Sequence, residues 1–267
     1  KSLDEWLYEE GVPGIEGVDT RELTKRLRVH GVMMGVIAVS EDEVDVDDMR
    51  AILARAERYG EQDFVSMVSI KEPKIYGAGE DKVVLIDCGV KYGIIRELLK
   101  RGLKVIRVPY STSASEILEY HPKGVVVSNG PGDPKICVNT IQTVRDLVDE
   151  GIPMLGICLG LQIIALSLGG DTYKLKYGHR GQNKPCLDVK TGRNYITSQN
   201  HGYAVSPDSL RKCGLDLWMI NADDKTIEGF YHESNPILAV QYHPEASPGP
   251  YDTTFIFDLF VEKMEVR

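Results

Sequence analysis

The feature that most constrains this chain is a regular alternation of apolar strand-like runs and amphipathic helical runs between residues 82 and 168. The strand-like runs occupy 82–87, 104–109, 124–130 and 153–157, and the helical runs occupy 92–102, 113–121, 138–151 and 159–168. Strands that alternate with helices usually pair in parallel, with helices on both faces of the sheet. The sequence therefore predicts an α/β fold whose ligand sites lie at the carboxyl ends of the strands.

The regions on either side of this alternation have a different texture. Before it, two helical patterns surround an apolar strand-like run, MMGVIAV at 33–39, and a polar, turn-rich stretch follows at 71–81. After residue 171 the pattern changes to short strands and turns. We predict a smaller α+β region over 1–75, a linker over 76–81 and a main domain over 82–267.

Composition and charge exclude several classes of partner. The formal net charge of −9 argues against binding to a nucleic-acid backbone. The uncharged run 151–170 contains Pro153, Gln162 and five glycines, so it predicts a buried strand, turn and helix rather than a membrane span. No signal peptide is visible, and we expect a soluble, cytoplasmic protein with neither nucleic-acid nor membrane partners.

The cysteines and histidines show no metal-binding or disulfide pattern. Five scattered cysteines without a CxxC pair indicate free thiols in a reducing compartment. No Cys/His cluster has the spacing of a metal site, and we expect no metal in this chain.

Cys158 lies in the stretch GICLGLQ, between a strand-like run and a helical run. Gly156 and Gly160 flank it at the spacing of the strand–turn–helix turn that exposes a nucleophile. At a helix N-terminus the thiolate is favoured, the amide of Leu159 can point at an oxyanion, and Gln162 shares the helix face of Cys158. The alternative is a small buried apolar residue, the commoner role of a lone cysteine.

A cysteine nucleophile needs a base, and His243 is the best candidate among six histidines. It follows the strand run AVQY, Pro244 fixes the backbone after it, and Glu245 lies two residues further on, close enough to orient the imidazole. By itself such a pair is more often a surface ion pair than a catalytic one.

Two further segments have the composition of binding loops. SNGPGDP at 128–134 is rich in residues that turn the backbone and direct amides outward, although it lacks the lysine spacing of a phosphate-binding loop. QNHGYAV at 199–205 offers an amide at Asn200 and permits close backbone approach at Gly202. Either segment could instead be a plain turn.

The motifs together resemble those of a known family. GICLGLQ with HPE at 243–245 resembles the class I glutamine amidotransferases. SNGPGDP, GHRGQNKP, QNHGYAV and HPEASPGP resemble, more narrowly, the small-subunit family of the carbamoyl phosphate synthetases, as do the segments 17–28 and 68–77. The resemblance implies a flavodoxin-like, doubly wound, mostly parallel sheet, preceded by the tail of a smaller α+β N-terminal domain.

The resemblance also implies roles for individual residues. It makes Cys158 the nucleophile, His243 the base and Glu245 its orienting carboxylate. The residues implied to bind glutamine or hold the oxyanion are Gly130, Gly132, Leu159, Gln162, Asn200, Gly202 and Tyr203.

The sequence departs from the family pattern in two ways. Leu161 stands where the family commonly has histidine, on a helix face away from Cys158 and Gln162. The family's N-terminal domain is longer and supplies a serine to the glutamine site, and only its tail is expected here.

The implied activity is hydrolysis of L-glutamine to glutamate and ammonia, with the ammonia channelled to a large synthetase subunit. The resemblance implies no cofactor in this chain, while the large subunit uses ATP, Mg²⁺ and bicarbonate. Three alternatives stay open: an amidotransferase for a different synthetase, a stand-alone γ-glutamyl hydrolase, and a catalytically silent binding subunit.

Overall fold

The computed structural model describes residues 1–232 and 234–265. By their internal contacts the residues divide into two compact units, one from Lys1 to Gln62 and one that begins at Asp63.

The first unit is helical in its regular parts. Its elements are α1 (Leu3–Glu9), α2 (Thr20–His30), α3 (Val46–Arg55) and a 3-10 turn (Tyr59–Glu61). Each α-helix begins behind a side-chain cap, because an oxygen of Ser2, Asp19 or Asp45 accepts a backbone N–H that the first turn leaves unpaired.

The predicted strand over 33–39 is wrong. The structure describes these residues without regular secondary structure, and six of the seven are exposed. An apolar run becomes a strand only where a second strand pairs with it. Within the described residues of this unit no such strand exists.

The second unit carries a ten-stranded sheet and seven α-helices among its described residues. Its strands are β1 (Lys74–Tyr76), β2 (Lys82–Asp87), β3 (Lys104–Pro109), β4 (Gly124–Val127), β5 (Met154–Ile157), β6 (Thr172–Asp188), β7 (Asn194–Val205), β8 (Leu215–Asn221), β9 (Ile227–His232) and β10 (Ile237–Val240). Its helices are α4 (Phe64–Val68), α5 (Tyr92–Lys100), α6 (Ala114–Glu119), α7 (Val138–Asp149), α8 (Leu159–Ser167), α9 (Pro207–Lys212) and α10 (Phe255–Glu265), and Pro134–Ile136 forms a 3-10 turn.

The sheet has the predicted doubly wound α/β architecture. Its strand order is β1-β3-β2-β4-β5-β10-β9-β8-β6-β7, and the five strands from β3 to β10 pair in parallel. Every residue of β4, β5 and β10 is buried, as expected for parallel strands covered on both faces. Two hydrophobic clusters pack on the sheet, and the fold class is confirmed.

The antiparallel side of the sheet differs from the prediction of short strands after residue 171. β6 and β7 have 17 and 12 residues and pair with each other over most of their length, with two register shifts. Bulges bend such long strands and interrupt the polar–apolar alternation, so the sequence pattern resembles a series of short strands.

The boundary between the units lies earlier in the chain than the linker predicted at 76–81. β1 ends at Tyr76, the first residue of the predicted linker. It pairs antiparallel with β3 as the edge strand of the main sheet. A short polar strand such as KIY has no sequence signal of its own, because its hydrogen bonds depend on a distant partner.

The sheet brings three strand ends together at one edge. β4, β5 and β10 are neighbours, with Val127 opposite Gly156 and Ile157 opposite Val240. The segments that follow these strands therefore meet at the carboxyl edge, where parallel sheets bind ligands. Among the described residues no helix is both long and apolar enough to cross a membrane.

Candidate active site

Cys158 lies on the turn between β5 and α8 in a backbone conformation that side chains rarely adopt. Its φ is 55° and its ψ is −103°, and the residue is 5% exposed. The Cys158 N–H donates to the Val240 carbonyl at 2.8 Å, which ties the turn to the end of β10. Positive φ at a non-glycine residue is costly and concentrates at functional sites, so the turn positions this thiol at the expense of backbone strain.

The two flanking glycines allow α8 to lie directly against the sheet. A Cβ on Gly160 would lie 2.0 Å from the Val127 carbonyl oxygen, and one on Gly156 would lie 2.9 Å from the backbone of Gly160. Neither clash can be relieved without moving the main chain. Both glycines at this junction are thus required by close approach of the main chain.

His243 and Glu245 lie beside this turn, just beyond β10. The imidazole Nδ1 donates to Glu245 Oε1 at 2.7 Å, which leaves Nε2 for the Cys158 thiol. His243 is 4% exposed and Glu245 is 6% exposed, and the His243 N–H donates to the Ser198 carbonyl at 2.9 Å. The structure thus excludes the exposed ion pair that the HPE motif alone would allow.

The charges around His243 favour its protonated form. Burial lowers its pKa, but the Cys158 thiolate and the Glu245 carboxylate outweigh burial and raise the pKa of His243 to about 10. A thiolate and an imidazolium stabilise each other in this arrangement, since each charge compensates the other in a buried site.

The two residues whose amides are predicted to hold an oxyanion pack against each other. Leu159 is the first residue of α8. Its side chain packs on Gly130, since a Cβ added to Gly130 would lie 2.7 Å from Leu159 Cδ2. Among the described residues, neither amide donates to a backbone carbonyl. Gly132 follows with a φ of 92°, which turns the loop after β4.

Four of the residues predicted to bind glutamine, Gln162, Asn200, Gly202 and Tyr203, lie on α8 and β7. Gln162 is 3% exposed, and its Nε2 donates to the Tyr203 carbonyl and to Gln241 Oε1, each at 2.9 Å. Asn200 is exposed on β7. Gly202 is half-buried, and a Cβ there would meet only Arg180 Nη2, at 3.7 Å. The protein's own packing therefore does not require glycine at position 202.

Three residues at the site were missed by sequence reasoning. Gln241 Nε2 lies 3.6 Å from Cys158 Sγ, and Lys91 Nζ lies 3.5 Å from His243 Nδ1 and 4.0 Å from Glu245 Oε1. Gly93 lets the helix after β2 approach, since a Cβ there would lie 2.9 Å from Glu245 Cγ. Gln241 carried a signal, two residues before His243, whereas Lys91 and Gly93 reach the site only through the fold.

Leu161, the departure from the family pattern, faces away from the thiol. It is fully buried in the hydrophobic cluster on one face of the sheet, whereas Cys158 belongs to the cluster on the other. A leucine at this position therefore contributes packing and does not enter the Cys158 site.

A second histidine–carboxylate cluster lies among residues to which the sequence assigned no role. His179, His201 and Glu228 bring three potential ligand atoms within 4.8 Å of one another. The expectation of no metal-binding cluster rested on spacing along the chain. These residues come from β6, β7 and β9, so spacing does not reveal them.

Comparison with known proteins agrees with this architecture. The sequence model of the family described as glutamine amidotransferase class-I matches residues 84–263, and that of the carbamoyl-phosphate synthase small chain, CPSase domain, matches residues 1–37. A crystal structure from Thermoplasma acidophilum, of a protein described as a GMP synthase subunit, superposes with a TM-score of 0.59 and 26% identity, covering 70% of this chain and 94% of that one.

Two relatives match nearly the whole chain. The carbamoyl phosphate synthase small chain of Methanopyrus kandleri is 50% identical over 97% of this chain and 72% of its own length. That of Pyrococcus furiosus is 48% identical over 100% of this chain and 71% of its own length. The chain therefore belongs to the carbamoyl phosphate synthase small-chain family, within the class I glutamine amidotransferases.

Proposed function

We propose that this chain hydrolyses L-glutamine through Cys158 and supplies the ammonia to the large subunit of a carbamoyl phosphate synthase. The observation that carries the proposal is the buried contact between His243 and Glu245 beside a cysteine whose φ is 55°. Family membership supports glutamine as the substrate, and this geometry supports the residues that act on it.

The first half of the reaction forms a thioester. The Cys158 thiolate attacks the side-chain amide carbon of glutamine, and the oxygen becomes an oxyanion that accepts hydrogen bonds from the amides of Gly130 and Leu159. His243 Nε2–H then protonates the departing nitrogen as the C–N bond breaks. The products of this half are ammonia and a γ-glutamyl thioester on Cys158.

The second half releases glutamate. Neutral His243 takes a proton from water, and the resulting hydroxide attacks the thioester carbon at the same oxyanion site. The C–S bond breaks, glutamate leaves, and the thiolate–imidazolium pair is restored. Glu245 keeps the Nδ1 proton in place throughout, so that Nε2 is always the nitrogen that exchanges protons.

Binding of glutamine is assigned to the residues around this thiol. Gln162 uses its amide nitrogen internally, so its Oε1 is the atom left to accept from the substrate. Asn200, Gly202 and Tyr203 form the β7 side of the pocket, and Gly132 forms the loop side. The open face at Gly202 supports contact with the substrate backbone.

The partner in this proposal is the large synthetase subunit, which uses ATP, Mg²⁺ and bicarbonate. The small chain itself uses no cofactor for the thioester chemistry, and the complex works in the cytoplasm. Two alternatives are that the chain supplies ammonia to a different synthetase, or that it has no synthetase partner.

The test measures glutamate release by the full chain, first by itself and then in complex with the large subunit of carbamoyl phosphate synthase. We expect hydrolysis that rises when the complex forms and that disappears in Cys158→Ser. A complex without glutaminase activity would overturn the assigned reaction. Hydrolysis that the bound large subunit leaves unchanged would instead overturn the assigned partner and favour a stand-alone hydrolase.

A further inference from the structure

A buried cluster of two histidines and one glutamate lies on the antiparallel side of the sheet. His179 on β6 is directly opposite His201 on β7, and Glu228 lies on β9. Their side chains are 11%, 1% and 0% exposed. The two rings meet edge to face, with centroids 4.8 Å apart and planes at 88°.

The outer nitrogen of each imidazole is held by an acceptor. His179 Nε2 donates to Asp224 Oδ2 at 2.7 Å, and His201 Nδ1 donates to the Tyr203 carbonyl at 2.9 Å. A carbonyl or a carboxylate can only accept, so the proton of each neutral imidazole lies on its outer nitrogen. The inner nitrogens, His179 Nδ1 and His201 Nε2, therefore present lone pairs.

These lone pairs converge with a carboxylate that has no hydrogen-bond partner of its own. His179 Nδ1 and His201 Nε2 lie 3.2 Å apart, and Glu228 Oε1 lies 3.3 Å from the first and 3.4 Å from the second. Among the described residues, both Glu228 oxygens are buried without a hydrogen-bond partner. Three acceptors at this separation repel one another unless a proton or a metal cation lies between them.

The charges around His179 attract either kind of cation. The carboxylates of Asp224 and Glu228 lie on either side of its ring, 2.7 Å from Nε2 and 3.3 Å from Nδ1. Their negative charge favours a cation at the inner nitrogen, either a proton or a metal ion, so the two compete for one position.

The spacing of the three atoms fits one class of metal cation. Four ligands about 2.0–2.1 Å from a tetrahedral ion lie about 3.3–3.4 Å from each other, which is the separation seen here. Two imidazoles and one carboxylate are a ligand set that Zn²⁺ commonly takes. The Asp224–His179 contact is the carboxylate–histidine support that orients metal-binding imidazoles.

We propose that His179, His201 and Glu228 bind a divalent transition-metal ion of the zinc type. A water molecule or Glu228 Oε2 completes the tetrahedral coordination. The ion links side chains from three strands of the sheet, and the hydrogen bonds of its two imidazoles go to Asp224 and Tyr203 rather than to Cys158 or His243. Its role is structural, and the inference holds whatever reaction the chain catalyses.

The test is titration of the metal-free full chain with Co²⁺, followed by competition with Zn²⁺. The Cys158→Ser background excludes binding at the active-site thiol, and tetrahedral Co²⁺ without thiolate ligands is recognised by its visible d–d bands. We expect one Co²⁺ per chain, displaced by Zn²⁺, and a melting temperature that rises with Zn²⁺ concentration. A folded chain that binds no Co²⁺ would overturn the proposal, because a proton shared by the imidazoles would then balance the charge.

Variants locate the site. Glu228→Gln and His201→Gln should abolish the bands, whereas His232→Gln should keep them, since His232 lies on the same strand as Glu228 but its Nδ1 accepts backbone N–H groups of Ser234 and Asn235. Asp224→Asn changes a half-exposed supporting carboxylate, so it should fold and weaken Co²⁺ binding about 10- to 100-fold. Unchanged binding in Asp224→Asn and in Glu228→Gln would place the ion elsewhere and refute the site.

Discussion

The two buried histidine–carboxylate clusters of this chain differ in what their histidines face. His243 has the Glu245 carboxylate on Nδ1 and the Cys158 thiol beside Nε2. Glu245 therefore holds the Nδ1 proton in place, while Nε2 can exchange a proton with Cys158. His179 and His201 also have outer acceptors, but their inner nitrogens face each other and Glu228. The first arrangement suits proton transfer, whereas in the second the lone pairs point at one position, as they do in a metal site.

In these two clusters, the group that faces the second ring nitrogen distinguishes one buried histidine from the other. Burial and an outer carboxylate are common to His243 and His179, so neither feature distinguishes a base from a ligand. A substitution in one cluster should therefore leave the other cluster intact.

The largest expected effect is the loss of the nucleophile. Cys158→Ser should lower glutamine hydrolysis by at least about 10³-fold, because a serine hydroxyl does not ionise beside His243 as a thiol does. Glutamate release under saturating glutamine measures the loss. Cys213→Ser is the matched control, since burial raises the pKa of the Cys213 thiol and the residue lies outside the site. Weaker Co²⁺ binding by Cys158→Ser than by the wild type would contradict the independence of the two clusters.

The second-largest effect is expected at Glu245, and it should distinguish this carboxylate from Asp224, which contacts the other histidine cluster. Glu245→Gln should lower kcat by about 10²- to 10⁴-fold, because the amide no longer orients and stabilises the imidazolium. Asp224→Asn, the corresponding change at the other cluster, should leave kcat within about twofold of the wild-type value, since the hydrogen bonds of Asp224 go to His179 and Thr226 and not to Cys158 or His243. Equal losses in the two variants would show that both histidine clusters act on the reaction.

The pH dependence follows from the raised pKa of His243. The imidazolium is more stable in the folded chain, so its stabilising contribution is complete below the unfolded pKa of 6.5 and is lost as pH rises through about 10. We expect kcat/KM to fall over the same alkaline limb, and Glu245→Gln to move that limb to lower pH because one of the charges that raises the pKa is removed. A limb that Glu245→Gln does not move would contradict the contact.

A smaller effect is expected at the glycine beside His201. Gly202→Ala should raise the KM for glutamine about 10-fold while changing the free energy of unfolding by no more than about 0.5 kcal/mol, because the new methyl meets only Arg180 within the protein. Gly160→Ala is the contrast: its Cβ would lie 2.0 Å from the Val127 carbonyl, so unfolding should become easier by about 3 kcal/mol or more. Chemical denaturation and steady-state kinetics of both variants measure the difference. An unchanged KM in Gly202→Ala would remove residue 202 from the pocket.

The smallest effect is expected at Lys91. Its amine lies 4.0 Å from Glu245 Oε1, but the side chain is 53% exposed, so solvent and salt screen the pair. Lys91→Met should lower kcat/KM by about threefold at low ionic strength, and added salt should bring the wild type towards the variant. A salt-independent loss of more than about 30-fold would instead assign Lys91 a direct part in the reaction.

Local patterns predicted the parts of this molecule that depend on local chemistry. The strand and helix runs between 82 and 168 were predicted because periodicity and turn residues act within a few positions. GICLGLQ was interpreted from its own glycines, and the close approaches at Gly156 and Gly160 agree with that interpretation. The HPE motif placed His243 and Glu245 two residues apart, near enough to contact each other directly.

Patterns that depend on a distant partner gave wrong or missing predictions. The apolar run at 33–39 has strand-like composition but no strand pairs with it among the described residues, whereas the polar β1 has little signal and pairs with β3. Lys91 enters the Cys158 site from the turn after β2, 152 residues before His243.

The sequence by itself determined the doubly wound sheet, the cysteine turn and the HPE pair, because each depends on residues close together in the chain. Only the tertiary structure decided that His243 is buried against Cys158, since the register of β5 against β10 brings their ends together. It alone also assembled His179, His201 and Glu228, because the pairing of β6 with β7 and the position of β9 in the sheet have no counterpart in sequence spacing. Hydrogen-bonded register acts across the sheet, and so it joins residues whose separation along the chain carries no information about their contact.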